Sequence, residues 1–198
     1  MTDRPFPPTD INTRKPPVAT IDKVTTFDRF YSRGKDPIFF DLSIKGRLNA
    51  PDGSFGVLYA AKQTKGAFAE TFLRSPGRRL LPQDLIEKKA LVVLQSTRAL
   101  KLVELHGPGL SILGATAEVT ASPQPYALPQ AWSAALHSHP DVFDGIAYRA
   151  RHDDGEICYA FFDRCSTAIV EVERRDNLEA DWFYELLDYY RVGIAPPS

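Results

Sequence analysis

Four short segments between Arg29 and Glu70 concentrate side chains able to do chemistry: Arg29-Phe30-Tyr31, Gly46-Arg47-Leu48-Asn49, Val57-Leu58-Tyr59-Ala60-Ala61 and Ala67-Phe68-Ala69-Glu70. Two arginines, two tyrosines and a carboxylate fall at the edges of short apolar elements, where side chains can converge on a pocket. A guanidinium fork matches phosphate oxygens two at a time, an aromatic ring packs on a flat heterocycle, and a carboxylate stabilises a developing cation. The set suits a substrate that is anionic, aromatic and positively charged at its reactive carbon.

Each member also has a plain structural explanation. Glu70 and Arg74 stand i, i+4 in the favourable order, a surface pair worth about 0.2–0.5 kcal/mol. Against that, Ala67, Phe68, Ala69 and Phe72 put Glu70 near a packed side, where a carboxylate requires a partner or a task. Arg47 lies in loop-like sequence and could be solvated. Arg29 shares a strand face with Tyr31 by alternation and could close a strand-edge ion pair. Tyr59 reads equally well as a core tyrosine with a satisfied hydroxyl.

The elements that would position these residues can be read from pattern. Residues 1–20 form an extended tail, with Pro5, Pro7, Pro8, Pro16 and Pro17 blocking regular structure. A first strand is expected from Val24 to Tyr31, followed by turn signals at Asp36-Pro37 and Ala50-Pro51-Asp52-Gly53. Phe55 to Ala61 reads as a buried strand, and Thr64 caps a helix ending near Ser75-Pro76-Gly77. A short helix from Pro82 to Lys88 precedes strands at Ala90–Gln95 and Ala99–Leu105. Gly107 to Thr116 is a short helix or a loop, and Pro129 to Ser138 is a helix. Strands follow near Gly145–Tyr148, Ile157–Phe162 and Ala168–Val172, and an aromatic-rich amphipathic helix runs from Leu178 to Tyr190. Strands and helices intermix without regular βαβ alternation, so the class is α+β, with one domain over residues 21–198.

Composition excludes several functions. At 43% hydrophobic residues the chain can bury an ordinary core, and its formal net charge of -1 argues against binding nucleic acid by phosphate neutralisation. No apolar run approaches the ~20 residues that span a bilayer, and the N-terminus lacks a signal-peptide core, so a cytoplasmic location is expected. Cys158 and Cys165 read as buried free thiols. Neither H-E-x-x-H nor C-x-x-C occurs, so no metal is expected. A Gly-rich phosphate loop and a G-x-S-x-G nucleophile elbow are also missing, and Ser138, His139 and Asp141 are too close in sequence to make a triad.

Taken together and in order, the segments resemble the RES domain family. Its pattern has an Arg early in the first strand, matched by Arg29, then G-R-[FWL]-N-x-P, matched by Gly46-Arg47-Leu48-Asn49-Ala50-Pro51. L-Y-x-A is matched by Leu58-Tyr59-Ala60-Ala61 and A-x-x-E by Ala67-Phe68-Ala69-Glu70. Late in the domain, D-G-[IL]-x-Y-x-S-R is matched by Asp144-Gly145-Ile146-Ala147-Tyr148-Arg149-Ala150-Arg151, and Ala160-Phe161-Phe162-Asp163 resembles the family's "ALFD". The likeness spans residues 24–175. One departure stands out: Ala150 occupies the place of the family serine.

The resemblance implies an ADP-ribosyltransferase-like mixed sheet flanked by helices, and a toxin of a bacterial toxin–antitoxin pair that consumes NAD. Cleavage of the nicotinamide–ribose bond, by water or phosphate, is the primary expectation. A mono-ADP-ribosyltransferase is the first alternative, and a non-catalytic module that holds NAD or an antitoxin is the second. By the same resemblance Glu70, Arg47 and Tyr59 would be catalytic. Arg29, Tyr31, Arg47, Tyr59, Tyr148 and Arg151 would hold NAD as substrate. The expected protein partner is a helical, Xre-like antitoxin, for which the proline-rich tail and the aromatic helix are candidate contact surfaces.

Overall fold

Apolar runs of β-branched and aromatic residues supply most of the strands of a large mixed sheet. The computed structural model describes residues 5–75 and 77–196. Among these residues the strands are β1 (Val18–Ile21), β2 (Thr26–Ser32), β3 (Val57–Ala61), β4 (Leu80–Leu81), β5 (Lys89–Ser96), β6 (Leu100–Glu104), β7 (Gly145–Ala150), β8 (Asp153–Phe162), β9 (Ile169–Arg175) and β10 (Gly193–Ile194). The helices are α1 (Thr64–Phe72), α2 (Gln83–Glu87), α3 (Pro108–Leu113), α4 (Glu118–Ala121), α5 (Ala127–His137) and α6 (Asp181–Tyr190). Eight strands form the sheet, in the order β1-β6-β7-β8-β3-β2-β5-β9, while β10 and β4 make a separate two-stranded pair. Within the large sheet β6 and β7 run parallel, joined by the crossover through α3, α4 and α5. The other neighbours run antiparallel. This is the α+β architecture expected from the element order.

The two faces of the sheet are packed differently. On one, Phe30, Val57, Ala61, Ile146 and Phe162 meet Phe68 and Phe72 of α1, Trp132 and Leu136 of α5, and Phe183 of α6. Burying a side chain such as Phe68, fully shielded from solvent, is worth roughly 1.5–3 kcal/mol. On the other face, Phe27, Tyr31, Leu58, Val92, Tyr159 and Phe161 pack with one another and with Ile38 and Phe40 of the loop after β2. The aromatic helix α6 is largely a packing element: Trp182 stacks on Phe30 at 6.3 Å and Tyr190 on Phe68 at 5.3 Å. Tyr184 and Tyr189 remain exposed.

Two expectations need correcting. The proline-rich segment does not end in a free tail at residue 20. Val18–Ile21 forms edge strand β1 against β6, Ile11 is buried, and Trp132 Nε1 donates to the Pro5 carbonyl at 2.6 Å. Prolines are tolerated just ahead of an edge strand, so Pro16-Pro17 do not prevent it. Thr64 is the first residue of α1 rather than its cap. Gln63 holds the cap position without a side-chain bond, and the Thr64 hydroxyl donates to Asp28.

Candidate active site

The site grows out of a fault in the sheet. β2 pairs with β5 along its whole length, but with β3 at one position only, Asp28 opposite Ala61. Beyond that point the two strands part. Arg29 fills the opening, where its Nη1 donates to the Tyr59 carbonyl on β3 at 2.7 Å. Its Nε is buried and has no hydrogen-bond partner among the described residues. Burial pushes the Arg29 pKa down to about 10, so the guanidinium remains charged at neutral pH. A pocket of about 620 Å³ opens here, lined by residues of β2, β3, α1, β7 and the loop around Arg47. That volume lies within the range of small-molecule and cofactor sites.

The loop that carries Arg47 is held by a hydrogen-bond knot. Asn49 is fully buried, and its Nδ2 donates to the Ser43 carbonyl at 2.6 Å and to Asp41 Oδ2 at 3.0 Å. Its Oδ1 accepts from the Tyr59 hydroxyl at 2.8 Å, and that hydroxyl accepts from the Leu48 amide at 2.8 Å. Helix α5 clamps the same loop: Gln130 Nε2 donates to the Ile44 carbonyl at 2.8 Å, and Ser133 Oγ to the Leu48 carbonyl at 2.6 Å. A side chain at Gly46 would put its Cβ 2.1 Å from Asn49 Oδ1, so only glycine fits. The Gly46-to-Asn49 motif is therefore a device for presenting one arginine.

Arg47 meets Glu70. Its Nη2 donates to Glu70 Oε2 at 2.8 Å, with the two side chains 10% and 20% exposed. The other carboxylate oxygen, Oε1, accepts from the backbone amide of Arg151 at 2.6 Å. Glu70 is thus gripped on both sides by partners more than 20 residues away in sequence, and its carboxylate is not paired with Arg74. Arg74 Nε donates instead to the Glu70 backbone carbonyl at 2.7 Å. Arg47 Cζ lies 5.5 Å from the centre of the buried Tyr148 ring. Burial opposes the Arg47 charge, but the Tyr148, Glu70 and Tyr59 oxygens outweigh it and raise the pKa.

Arg29, Tyr31, Arg47, Tyr59, Glu70, Tyr148 and Arg151 all border the one pocket, though in different ways. The Tyr59 hydroxyl is engaged in the loop knot, and burial holds its pKa well above the ordinary range. The Tyr31 ring belongs to the core cluster on the face away from α1, with Arg174 Cζ 5.9 Å from its centre. Arg151 acts on Glu70 through its backbone, while its side chain is exposed. Ala150 is 2% exposed and packs in the core, flanked by the pocket residues Tyr148, Arg151 and His152. Sequence patterns gave no sign of Tyr126, Arg74, Lys89 or His152, which also line the pocket. Cys158 borders it too, but it is buried, and burial pushes its thiol up, away from the thiolate form that reacts as a nucleophile.

Asp144-Gly145 and Asp163 serve the scaffold. Asp144 takes both terminal nitrogens of Arg98, and Gly145 passes so close to β8 that a Cβ would fall 2.3 Å from the Ala160 carbonyl. Asp163 Oδ2 accepts from the Gly56 amide at 2.7 Å. Among the described residues no group of three His, Cys, Asp or Glu side chains is placed to hold a metal ion. Nor is any helix among them long and apolar enough to cross a membrane.

The family model of the RES domain matches residues 28–183. The chain belongs to the RES domain family. The match takes in all four segments of the pocket, strand β7 with Tyr148, and Arg151 in the turn that follows it. Among solved structures, the RES chain is similar to one in the crystal structure of the M. tuberculosis MbcT–MbcA toxin–antitoxin complex. The two share 16% identity at a TM-score of 0.62, over 87% of this chain and 91% of that one. At that identity the likeness concerns the fold. No curated protein sequence matches the chain.

Proposed function

We propose that this RES protein is the toxin of a toxin–antitoxin pair and consumes NAD by breaking the nicotinamide–ribosyl bond, with water or phosphate as acceptor. The observation that carries this reading is the Glu70 carboxylate, oriented by Arg47 and the Arg151 amide in the wall of a cationic pocket. When the ribosyl C1′–N bond breaks, its electron pair goes to nicotinamide, which leaves neutral, and positive charge develops on the ribose. A carboxylate fixed in advance beside that carbon stabilises the charge without reorganising at the moment of reaction. Arg47 and Arg29 offer guanidinium nitrogens to the pyrophosphate, including the two buried and unpartnered Nε atoms. The rings of Tyr59 and Tyr148 flank the nicotinamide ribose. The leaving group departs from a cation, so the step requires no Lewis acid.

By likeness to a chain solved in a toxin–antitoxin complex, we assign a protein antitoxin as the partner, of the helical Xre-like kind that the family suggests. An NAD-consuming toxin of this type would act in the cytoplasm. The purified protein should release nicotinamide from NAD, and Glu70→Gln should slow release by about 10²-fold or more. Equal release by the variant would sink the site assignment. Dependence on phosphate separates phosphorolysis from hydrolysis. Ala150, where the family has serine, favours one second reading, a mono-ADP-ribosyltransferase, which would move label from NAD onto protein. Dinucleotide binding without turnover, together with unaffected growth on expression alone, would point to a binding module.

A further inference from the structure

The pocket carries more positive charge than that chemistry uses. Along the wall formed by β2, the end of α1 and the start of β5, Ser32, Arg74 and Lys89 stand beside Arg29. Lys89 is half-buried, with its Nζ 3.3 Å from Ser32 Oγ. Burial and the positive charges of Arg74 and Arg29 lower its pKa. Among the described residues neither Lys89 nor Arg74 has a carboxylate within ion-pair distance. The two carboxylates that border the pocket are engaged elsewhere, Glu70 with Arg47 and Asp28 with the Thr64 hydroxyl. Asp41 and Asp36 answer the charge of Arg29, but Lys89 and Arg74 repel each other with no carboxylate of the described residues in ion-pair range, a local field that an anion relieves.

We propose that Lys89, Arg74 and Ser32, with Arg29 beside them, form a subsite for a phosphate dianion, separate from the Arg47–Glu70 centre. Lysine and arginine provide charge, and the serine hydroxyl and lysine ammonium provide directional donors. The identity of the ligand rests on the NAD reading above. The dianion is either a 2′-phosphate on the adenosine ribose of the dinucleotide, as in NADP, or free phosphate held apart from the reacting carbon.

The test is calorimetric titration of the full chain with inorganic phosphate, at ionic strength held constant with chloride, for the parent, Lys89→Gln and Lys89→Arg. Ser32→Ala takes the place of Lys89→Gln should that variant not fold. The parent should bind phosphate, Lys89→Gln should bind it about tenfold or more weakly, and Lys89→Arg should retain it. No phosphate-specific binding in the parent, or equal binding by Lys89→Gln, overturns the subsite. Tighter binding of NADP than NAD, with the difference erased in Lys89→Gln, identifies the 2′-phosphate as the source. Phosphate binding through Lys89 that persists under saturating NAD, with NADP bound no more tightly than NAD, identifies free phosphate. If the parent binds phosphate through Lys89 but neither dinucleotide, the subsite stands and the NAD reading falls. If NAD is turned over without phosphate binding in either form, the reverse holds.

Discussion

Replacing Tyr59 by Phe tests whether this tyrosine meets substrate through its hydroxyl or only positions Arg47. The ring that borders the pocket is kept, and what is lost is one oxygen that accepts from the Leu48 amide and donates to Asn49 Oδ1, both at 2.8 Å. Leu48 and Asn49 are both 0% exposed, so water cannot take the place of that oxygen without opening the loop. An orphaned buried donor or acceptor costs about 1–3 kcal/mol, and two that relax partly give roughly 2–4 kcal/mol. For a chain of this size each kcal/mol lowers the melting temperature by about 2–4 °C, so the midpoint should fall by about 4–16 °C. Scanning calorimetry measures that shift, and nicotinamide release measured well below the new midpoint gives the catalytic effect. A positioning role predicts reduced stability together with a reduced rate, because the loop that aims Arg47 has loosened. A variant as stable as the parent that has lost nicotinamide release would refute the reasoning and give the hydroxyl to the substrate.

Two further outcomes follow from particular contacts. Burial lowers the pKa values of His106, His137 and His152 below the ordinary histidine value of 6.5. The unfolded chain therefore takes up these protons first as pH falls, so their contribution is complete above 6.5 and is lost as pH drops through the folded values. The melting midpoint should decline from just below pH 6.5, and His137→Gln, which removes the ring stacked 4.0 Å from Phe55, should flatten that decline; an unchanged slope would count against it. Ala150→Ser restores the family's hydroxyl beside Tyr148 and Arg151 and should raise nicotinamide release about fivefold, the equivalent of one hydrogen bond of about 1 kcal/mol; a slower variant would show that this pocket is built around alanine.

What could be read in advance followed from physics that acts locally. The runs that became β3, β5 and β8 show themselves because continuous apolar residues can only be buried. Helix α1 shows itself through the spacing of Phe68 and Phe72. Strand β1 was hidden by Pro16-Pro17, whose local effect is to break structure, while the pairing of Val18–Ile21 with β6 depends on residues some 80 positions away. The site divides along the same line. Glu70, Arg47 and Arg29 carry chemistry in their side chains and can be suspected from type and order. The Arg151 amide that holds Glu70 carries no side-chain signal, because every residue except proline has that donor. Lys89 looks like any charged residue at the start of a strand until the pairing of β2 with β5 brings it to Ser32. Tyr59 was legible as a pocket residue, but the engagement of its hydroxyl depends on how the loop from Asp41 to Asn49 closes over it.

The parting of β2 from β3, with Arg29 wedged into the gap, has a consequence for how such a protein can change over time. Many enzymes assemble their working groups on loops, and the site then shares the mobility of those loops. Here the opening is a seam left unzipped in a sheet whose strands are anchored on their other sides, β2 by β5 and β3 by β8. The seam inherits the stiffness of the sheet, and its width is set by the length of one side chain acting as a strut. Outside the knotted Arg47 loop, surface loops and exposed helix faces are therefore free to drift, and can follow a changing partner protein without disturbing the aperture. A shorter residue at position 29 would narrow the aperture itself, which makes the strut a gauge of ligand size as well as a source of charge.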